Sequence, residues 1–394
     1  MQKVRIKRGK EGSLARRHPW VFSGALNPSE NLPADGDWVE LQDQSGSTLG
    51  FGHFSADKTI AVRVLSFSPQ APDQNWWNAR FSNALQWRAR LGLHTTNNPS
   101  TFRWIHGEGD GLPGLIVDCY AGVAVVQFHT TGMARCVDAI LHAMRQAMGG
   151  SLLCVYNKSA KLAEGAHNSS QDDGVLWGEL PEVVWGWEHG HRFIIDLVQG
   201  QKTGFFIDQR ENRSIVGGLC RDATVLNAFS YTGGFSVAAL AGGAKRVDSL
   251  DSSLRALEIA HENVLANGFE AEKHHQIQAD AMHFVKGDLS GYDCVILDPP
   301  AFAKRMGARH AAVQGYKRLN ANALHGMKAG SILATFSCSQ AVDESMFYNT
   351  LVAAAIEAQR DVRVLHKLHQ PADHPVGIFH AEGAYLKGLI LAVD

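Results

Sequence analysis

The spacing of apolar and polar positions divides this chain into three stretches. Over residues 1 to about 67 the period is two and the turns are glycine-rich. Val4 and Ile6, Trp38 to Leu41, and Ile60 to Val64 read as strands of a small β-barrel. Ser66 to Asn75, with two prolines, reads as a linker. The spacing turns helical from Trp76 to Leu91, through Trp77, Phe81 and Leu85, and a polar run from His94 to Ser100 ends it. Gly114 to Asp118 and Val123 to Phe128 predict a hairpin, Ala134 to Met148 a helix, and Leu152 to Tyr156 a strand. His167 to Gly174 is expected as a surface loop, and Val183 to Glu188 with Arg192 to Leu197 as a second hairpin. From about residue 200, strands alternate with helices. The expected strands are Thr224 to Phe229, Val247 to Leu250, Gln276 to Ala279, Cys294 to Leu297, Ile332 to Phe336, a segment near Val362 to His366, and Leu386 to Val393. Helices such as Ser253 to Asn267 and Glu344 to Gln359 lie between them. Such alternation predicts a mostly parallel, doubly wound α/β sheet. The expected domains are 1–70, a β-barrel; 71–198, α+β; and 199–394, the α/β domain.

Composition narrows the class. The chain has 394 residues, 45% of them apolar, which is enough for substantial cores. No run approaches the roughly 20 apolar residues of a membrane span. The N-terminal segment is basic but lacks the apolar core of a secretory signal. The six cysteines stand singly with no CxxC pair, so reduced thiols and a cytoplasmic location are expected. The nineteen histidines form neither HExxH nor a Cys/His zinc spacing, so no metal is expected. The net charge of −2 hides two basic clusters. Lys3, Arg5, Lys7, Arg8, Lys10, Arg16 and Arg17 crowd the N-terminus, and Lys304, Arg305, Arg309, Lys317 and Arg318 lie in a stretch without acids. Each is either a solvated face or a set of phosphate contacts.

The chemistry-bearing residues fall at the predicted strand ends, where α/β sheets bind ligands. Asn227, Phe229, Ser230, Tyr231, Thr232, Gly233 and Gly234 follow the first strand and open a helix, and the glycines permit close backbone approach. This is not GxGxxG. Asp251, followed by Ser252, ends the second strand, where a carboxylate can accept ribose hydroxyl protons. Asp280 and Ala281 stand at the end of the third, and Asp298 with Pro299 at the end of the fourth. Any one of these acids could simply cap a helix. Together, in order, they suit an adenosine-bearing ligand with no phosphate, S-adenosylmethionine rather than NAD.

Asp298-Pro299-Pro300 after an apolar strand is an element that nucleic-acid methyltransferases use to handle a base. Cys338, at the end of the next strand, is either a small buried hydrophobe or a nucleophile. A pyrimidine C5 attacks a methyl donor only after a thiolate has added at C6, so a thiol there turns the site toward carbon methylation. Phe302 would stack on the base or belong to the core.

Several strings resemble the bacterial 23S rRNA methyltransferase I family, whose members make 5-methylcytosine. Residues 17–25 (Arg17 to Ala25, including Trp20) are similar to the signature of its RNA-binding PUA barrel. Gly107 to Asp118 resembles its middle domain, and Gly200 to Arg210 the segment lying over its cofactor. Residues 229–235, 298–302, 315–317, 337–339, 373–375 and 382–387 continue the likeness. Asn157-Lys158-Ser159 departs from it, because relatives often carry an arginine there. The resemblance implies a PUA-like barrel, an α+β middle domain and a Rossmann-like class I S-adenosylmethionine-dependent methyltransferase domain. It implies a one-cysteine mechanism, since Ala301 rather than a second cysteine follows the DPP. Cys338 and Asp298 would be catalytic. Phe206, Asp208 and Arg210 would join the strand-end residues around the cofactor. Pro300, Phe302, Lys304, Arg305, Lys317, Arg17 and Trp20 would meet the RNA. The implied partner is 23S rRNA or a large-subunit precursor, with a homodimer left open. Two alternatives stay open: nitrogen methylation with Cys338 a bystander, and a non-enzymatic assembly factor.

Overall fold

A computed structural model describes residues 1–28, 32–56, 58–94, 100–160, 172–303 and 306–394. The expected loop from His167 lies largely outside them, as do Lys304 and Arg305. The chain folds into two compact units. The first comprises Met1–Trp187, Ile195–Ile207 and Ala372–Gly383, and the second Glu188–Ile194, Asp208–Pro371 and Ala384–Asp394.

The first unit opens with β1 (Gln2–Arg5), α1 (Gly12–Ala15), β2 (Trp20–Phe22), β3 (Trp38–Gln42), β4 (Thr48–Phe54) and β5 (Ile60–Ser66). They form a five-stranded sheet in the order β1-β3-β4-β5-β2. Its period-two pattern buries Val39, Leu41, Val62 and Val64 around Ile6. The sequence reading lacks β4, because Gly50 and Gly52 leave its apolar alternation without side chains. Helix α2 (Gln74–Arg90) starts where Asp73 accepts the Trp76 N–H at 2.8 Å. A second five-stranded sheet, β10-β9-β8-β7-β6, follows. It is built from β6 (Phe102–His106), β7 (Leu115–Tyr120), β8 (Val123–Phe128), β9 (Cys154–Asn157) and β10 (Gly174–Gly178), with α3 (Thr131–Ala134) and α4 (Val137–Met148) between β8 and β9. Buried Arg88 binds both oxygens of Asp110 at 2.6 and 2.7 Å and the Asp373 carbonyl at 2.8 Å. The Arg103 N–H donates to the Asp373 carboxylate at 2.9 Å. These bonds fasten the late segment Ala372–Gly383 to the sheet.

Two short strands, β11 (Trp185–Glu188) and β12 (His191–Ile194), precede the second unit's main body. Its seven-stranded sheet runs β15-β14-β13-β16-β17-β19-β18. The strands are β13 (Thr224–Ala228), β14 (Arg246–Asp251), β15 (His274–Gln278), β16 (Cys294–Leu297), β17 (Ser331–Ser337), β18 (Val362–His369) and β19 (Lys387–Val393). β13 to β17 are parallel, and β19 runs antiparallel to both β17 and β18. The flanking helices are α5 (Arg210–Gly217), α6 (Gly234–Ala241), α7 (Leu254–Ala266), α8 (Ala281–Phe284), α9 (Arg309–Gly326) and α10 (Glu344–Ala358). Strand order reverses between β13 and β16, which opens a crevice at their carboxyl ends. Helix α9 buries Ala312, Tyr316, Leu319 and Ala323, with Arg309 ahead of these positions and Lys317 and Arg318 set between them.

Candidate active site

The turn after β13 is backbone-driven. Phe229, Tyr231 and Gly233 adopt φ of 59°, 47° and 77°, a left-handed region that non-glycine residues rarely occupy. A Cβ on Gly233 would lie 2.8 Å from the Ala260 Cβ. The strained turn is held by the Ser230 N–H on the Leu250 carbonyl at 3.0 Å and the Tyr231 N–H on Asp251 Oδ2 at 2.9 Å. Asp251 Oδ1 accepts the Ser253 N–H at 2.9 Å. Within this turn, Asn227 Oδ1, Ser230 Oγ and Thr232 Oγ1 are buried without a hydrogen-bond partner. Buried polar atoms are otherwise satisfied almost everywhere in folded proteins, so such a cluster marks a place built for a polar ligand.

A polar chain lies behind the turn. Asn227 Nδ2 donates to Ser236 Oγ at 2.8 Å, Ser236 shares a hydrogen bond with Ser249 at 2.6 Å, and Ser249 with His274 Nε2 at 2.7 Å. His274 Nδ1 meets His261 Nδ1 at 3.1 Å. Burial, then the neighbouring His261 and His275, bring the His274 pKa down to about 4. It is therefore neutral at pH 7, so this chain of hydrogen bonds orients Asn227 without adding charge from His274.

The other strand ends are more varied. Asp280 is exposed and caps α8 by accepting the His283 N–H at 2.9 Å. Ser252 is exposed and Ala281 buried. Asp298, half-buried, accepts the Gln209 amide at 3.0 Å, and Gln209 accepts from Asn212 at 2.6 Å. Pro299 is buried and Pro300 exposed. Buried Asp208 accepts the Tyr385 hydroxyl at 2.7 Å, and buried Arg210 donates to Glu211 at 3.0 Å. Phe206 belongs to the first unit, where the Lys202 ammonium stands 4.4 Å from its ring centre.

Cys338 follows β17 directly and is half-buried. The parallel register Leu297↔Thr335 makes its strand the neighbour of the one ending in Asp298. Ser339 Oγ shares a hydrogen bond with the Tyr316 hydroxyl at 2.9 Å and accepts the Ala303 N–H at 3.3 Å. Lys387 Nζ donates to the Ser339 carbonyl at 2.7 Å. Phe302 is partly buried with its ring centre 4.6 Å from that of Tyr316. Lys317 forms an ion pair with Glu357 at 2.6 Å. Gln209, Tyr316 and Lys387 were not singled out as site residues by the sequence; they stood only inside the strings that carry the resemblance.

Residues 102–390 match the family of S-adenosylmethionine-dependent methyltransferases, and residues 4–67 match the PUA-like domain family. The chain is 36% identical to ribosomal RNA large subunit methyltransferase I of Alteromonas mediterranea, over 99% of this chain and 98% of that one. It is 34% identical to the protein of the same name from Escherichia coli O139:H28, over 98% of each. The chain belongs to the ribosomal RNA large subunit methyltransferase I family. Among solved structures, its fold matches a candidate SAM-dependent methyltransferase from Streptococcus mutans with a TM-score of 0.83 at 23% identity, over 99% of this chain and 100% of that one. It also matches a candidate methyltransferase complexed with SAH, with a TM-score of 0.84 at 23% identity and the same coverage.

As a member of this family the chain takes S-adenosylmethionine as its cofactor. The turn after β13 fits that molecule: three buried oxygens lack partners, and the backbone is held open by positive φ. In the first unit, Arg17 borders a cavity of about 590 Å³ lined by Phe67, Trp76, Arg80, Glu108 and His380. The Trp20 indole N–H donates to Glu108 at 2.7 Å and its ring meets His380 edge-on at 4.4 Å. The Arg17 and Arg80 guanidinium groups stand 5.9 and 5.1 Å from the ring centres of Phe67 and Trp76. Among the described residues, no helix is long and apolar enough to cross a membrane.

Proposed function

We propose that this chain methylates C5 of a cytosine in 23S rRNA, with Cys338 as a covalent nucleophile. The observation that carries this reading is a half-buried thiol at the end of β17, beside the strand that ends in Asp298. When bound, S-adenosylmethionine supplies an electrophilic methyl group. Asn227, Ser230, Thr232 and Asp251 hold it, with Asp280, Ala281, Asp298 and Pro299 at the adjoining strand ends.

The Cys338 thiolate adds to C6 of the cytosine, and the electron pair moves toward C5, O2 and N3. Asp298, held by Gln209, acts in its protonated form: it donates to N3, accepts from the exocyclic amine, and so stabilises this charge. C5 would take the methyl group as its bond to the sulfonium breaks and S-adenosylhomocysteine leaves; a base then removes the C5 proton, and the thiolate leaves by elimination. Pro299 and Pro300 fix φ directly after Asp298, hold it rigidly and leave the adjacent carbonyls free to face a base. Arg17 and Trp20, with Lys304, Arg305 and Lys317, engage the RNA, and a paired cytosine must leave its stack to reach the thiol.

The test is to incubate the protein with labelled S-adenosylmethionine and under-methylated 23S rRNA and to map the modified nucleoside. Methyl on C5 is expected, and methyl on nitrogen sinks the reading. Cys338→Ala should abolish turnover while leaving cofactor affinity within about twofold of wild type, since single surface-site changes outside a binding contact move free energies by only about 0.5 kcal/mol. An active Cys338→Ala protein removes the nucleophile role.

A further inference from the structure

Lys387 is the first residue of β19, and the antiparallel register pairs it with Ser337, the residue before Cys338. On its other side it pairs with His369 of β18. The side chain is buried, at 8% exposure. Nζ donates to the carbonyls of Ser339 at 2.7 Å and Tyr385 at 2.8 Å, and so reaches the residue on the far side of Cys338 as well. Among the described residues no carboxylate forms an ion pair with Lys387. A buried ammonium without a counter-ion is costly, and folds rarely keep one without a use.

The charged and titratable groups around it are few. Asp343, at the start of α10, caps that helix through Oδ1, which accepts the Met346 N–H and the Ser345 hydroxyl, both at 2.8 Å. Asp208 is engaged by the Tyr385 hydroxyl. The His369 ring shares a hydrogen bond with the Gln370 carbonyl. Tyr316, from α9, is bonded to Ser339. Cys338 lies between Ser337, which pairs with Lys387 across the strands, and Ser339, whose carbonyl Nζ bonds.

We propose that Lys387 is the counter-cation of the Cys338 thiolate. This deepens the nucleophile reading above and rests on it. The Sγ–H proton passes to the neutral Nζ, leaving a thiolate beside an ammonium. The thiolate then adds to C6, and on elimination it returns to the same cation. The C5 proton leaves to a different base. Burial pulls the Lys387 pKa to about 8, with the charges of Cys338 and Asp343 acting in the opposite direction, so the amine is within reach of both protonation states near neutral pH.

The test reads the thiol itself. The full-length protein is alkylated with iodoacetamide across pH 5 to 10, and Cys338 is followed by peptide mass mapping in wild type, Lys387→Met and Lys387→Arg. Wild-type Cys338 should react with a pH midpoint below the ordinary thiol value of about 8.5. Lys387→Met should raise that midpoint by about one to two pH units, and Lys387→Arg should restore most of it. A merely structural lysine would not move this midpoint. Equal midpoints in the three proteins overturn the proposal, and so does a wild-type midpoint at or above the ordinary value, which needs no variant to fold. The alkylation profile does not depend on turnover, so it separates the two readings. If Cys338→Ala still methylates while Lys387→Met shifts the midpoint, the nucleophile reading fails and the ion pair stands.

Discussion

Asp251 is the acid whose proposed cofactor contact is shared with the backbone. Both oxygens already accept backbone N–H groups, from Tyr231 and Ser253, and so fix the strained turn at the cofactor site. Each carboxylate oxygen has a second lone pair free to face ribose hydroxyls. Asp251→Ala removes charge-assisted bonds of about 1.5–3 kcal/mol each, so the Kd for S-adenosylmethionine should rise by roughly ten- to a hundredfold in a calorimetric titration. Asp251→Asn keeps one acceptor for the backbone and should fall between the two. A wild-type Kd in the alanine protein would remove Asp251 from the site. Asp280 differs from it, although both were read from the same strand-end pattern. Its exposed carboxylate caps α8 through Oδ1.

The crevice depends on how β17 and β19 close on each other. Gly388 lies opposite Phe336, and a Cβ there would come within 2.4 Å of the Phe336 ring and 3.2 Å of the Thr335 carbonyl. Gly388→Ala must move the ring or part the strands next to Cys338 and Lys387. A stability loss of about 1–3 kcal/mol is expected in urea unfolding, as for overpacked cores, together with slower turnover. Unchanged unfolding would mean that the strands yield without cost. This pairing also shows what the sequence could reveal. The ends of β13, β16 and β17 were legible because each strand is largely an apolar run with a polar residue at or just after its end. Lys387 was not, because it opens an ordinary strand and gains meaning only through a register with residues some fifty positions earlier. Helix α9 was hidden because its buried positions are interleaved with Arg309, Lys317 and Arg318, which blur the apolar period. Gln209 follows the same logic, since its contact with Asp298 is made by folding and not by spacing.

At the scale of the whole molecule, each unit buries a histidine that must stay neutral. His53, in the barrel sheet of the first unit, is brought to about 3 by burial and then by the Arg135 charge, and His274, in the second, to about 4. In the unfolded chain both titrate near 6.5. Between the folded and unfolded values the unfolded chain binds more protons, so stability is complete above about pH 6.5 and is lost as pH falls toward 4. The slope approaches about 1.4 kcal/mol per pH unit for each histidine. Thermal melting should therefore move to lower temperature between pH 7 and pH 5. His274→Gln keeps a polar partner for Ser249 but cannot take up a proton, so its melting temperature should fall less over that interval than that of wild type. If the two proteins lose the same number of degrees, His274 does not resist protonation. The polar chain from His274 to Asn227 would then carry charge toward the cofactor turn in mild acid, and S-adenosylmethionine affinity should drop over the same interval.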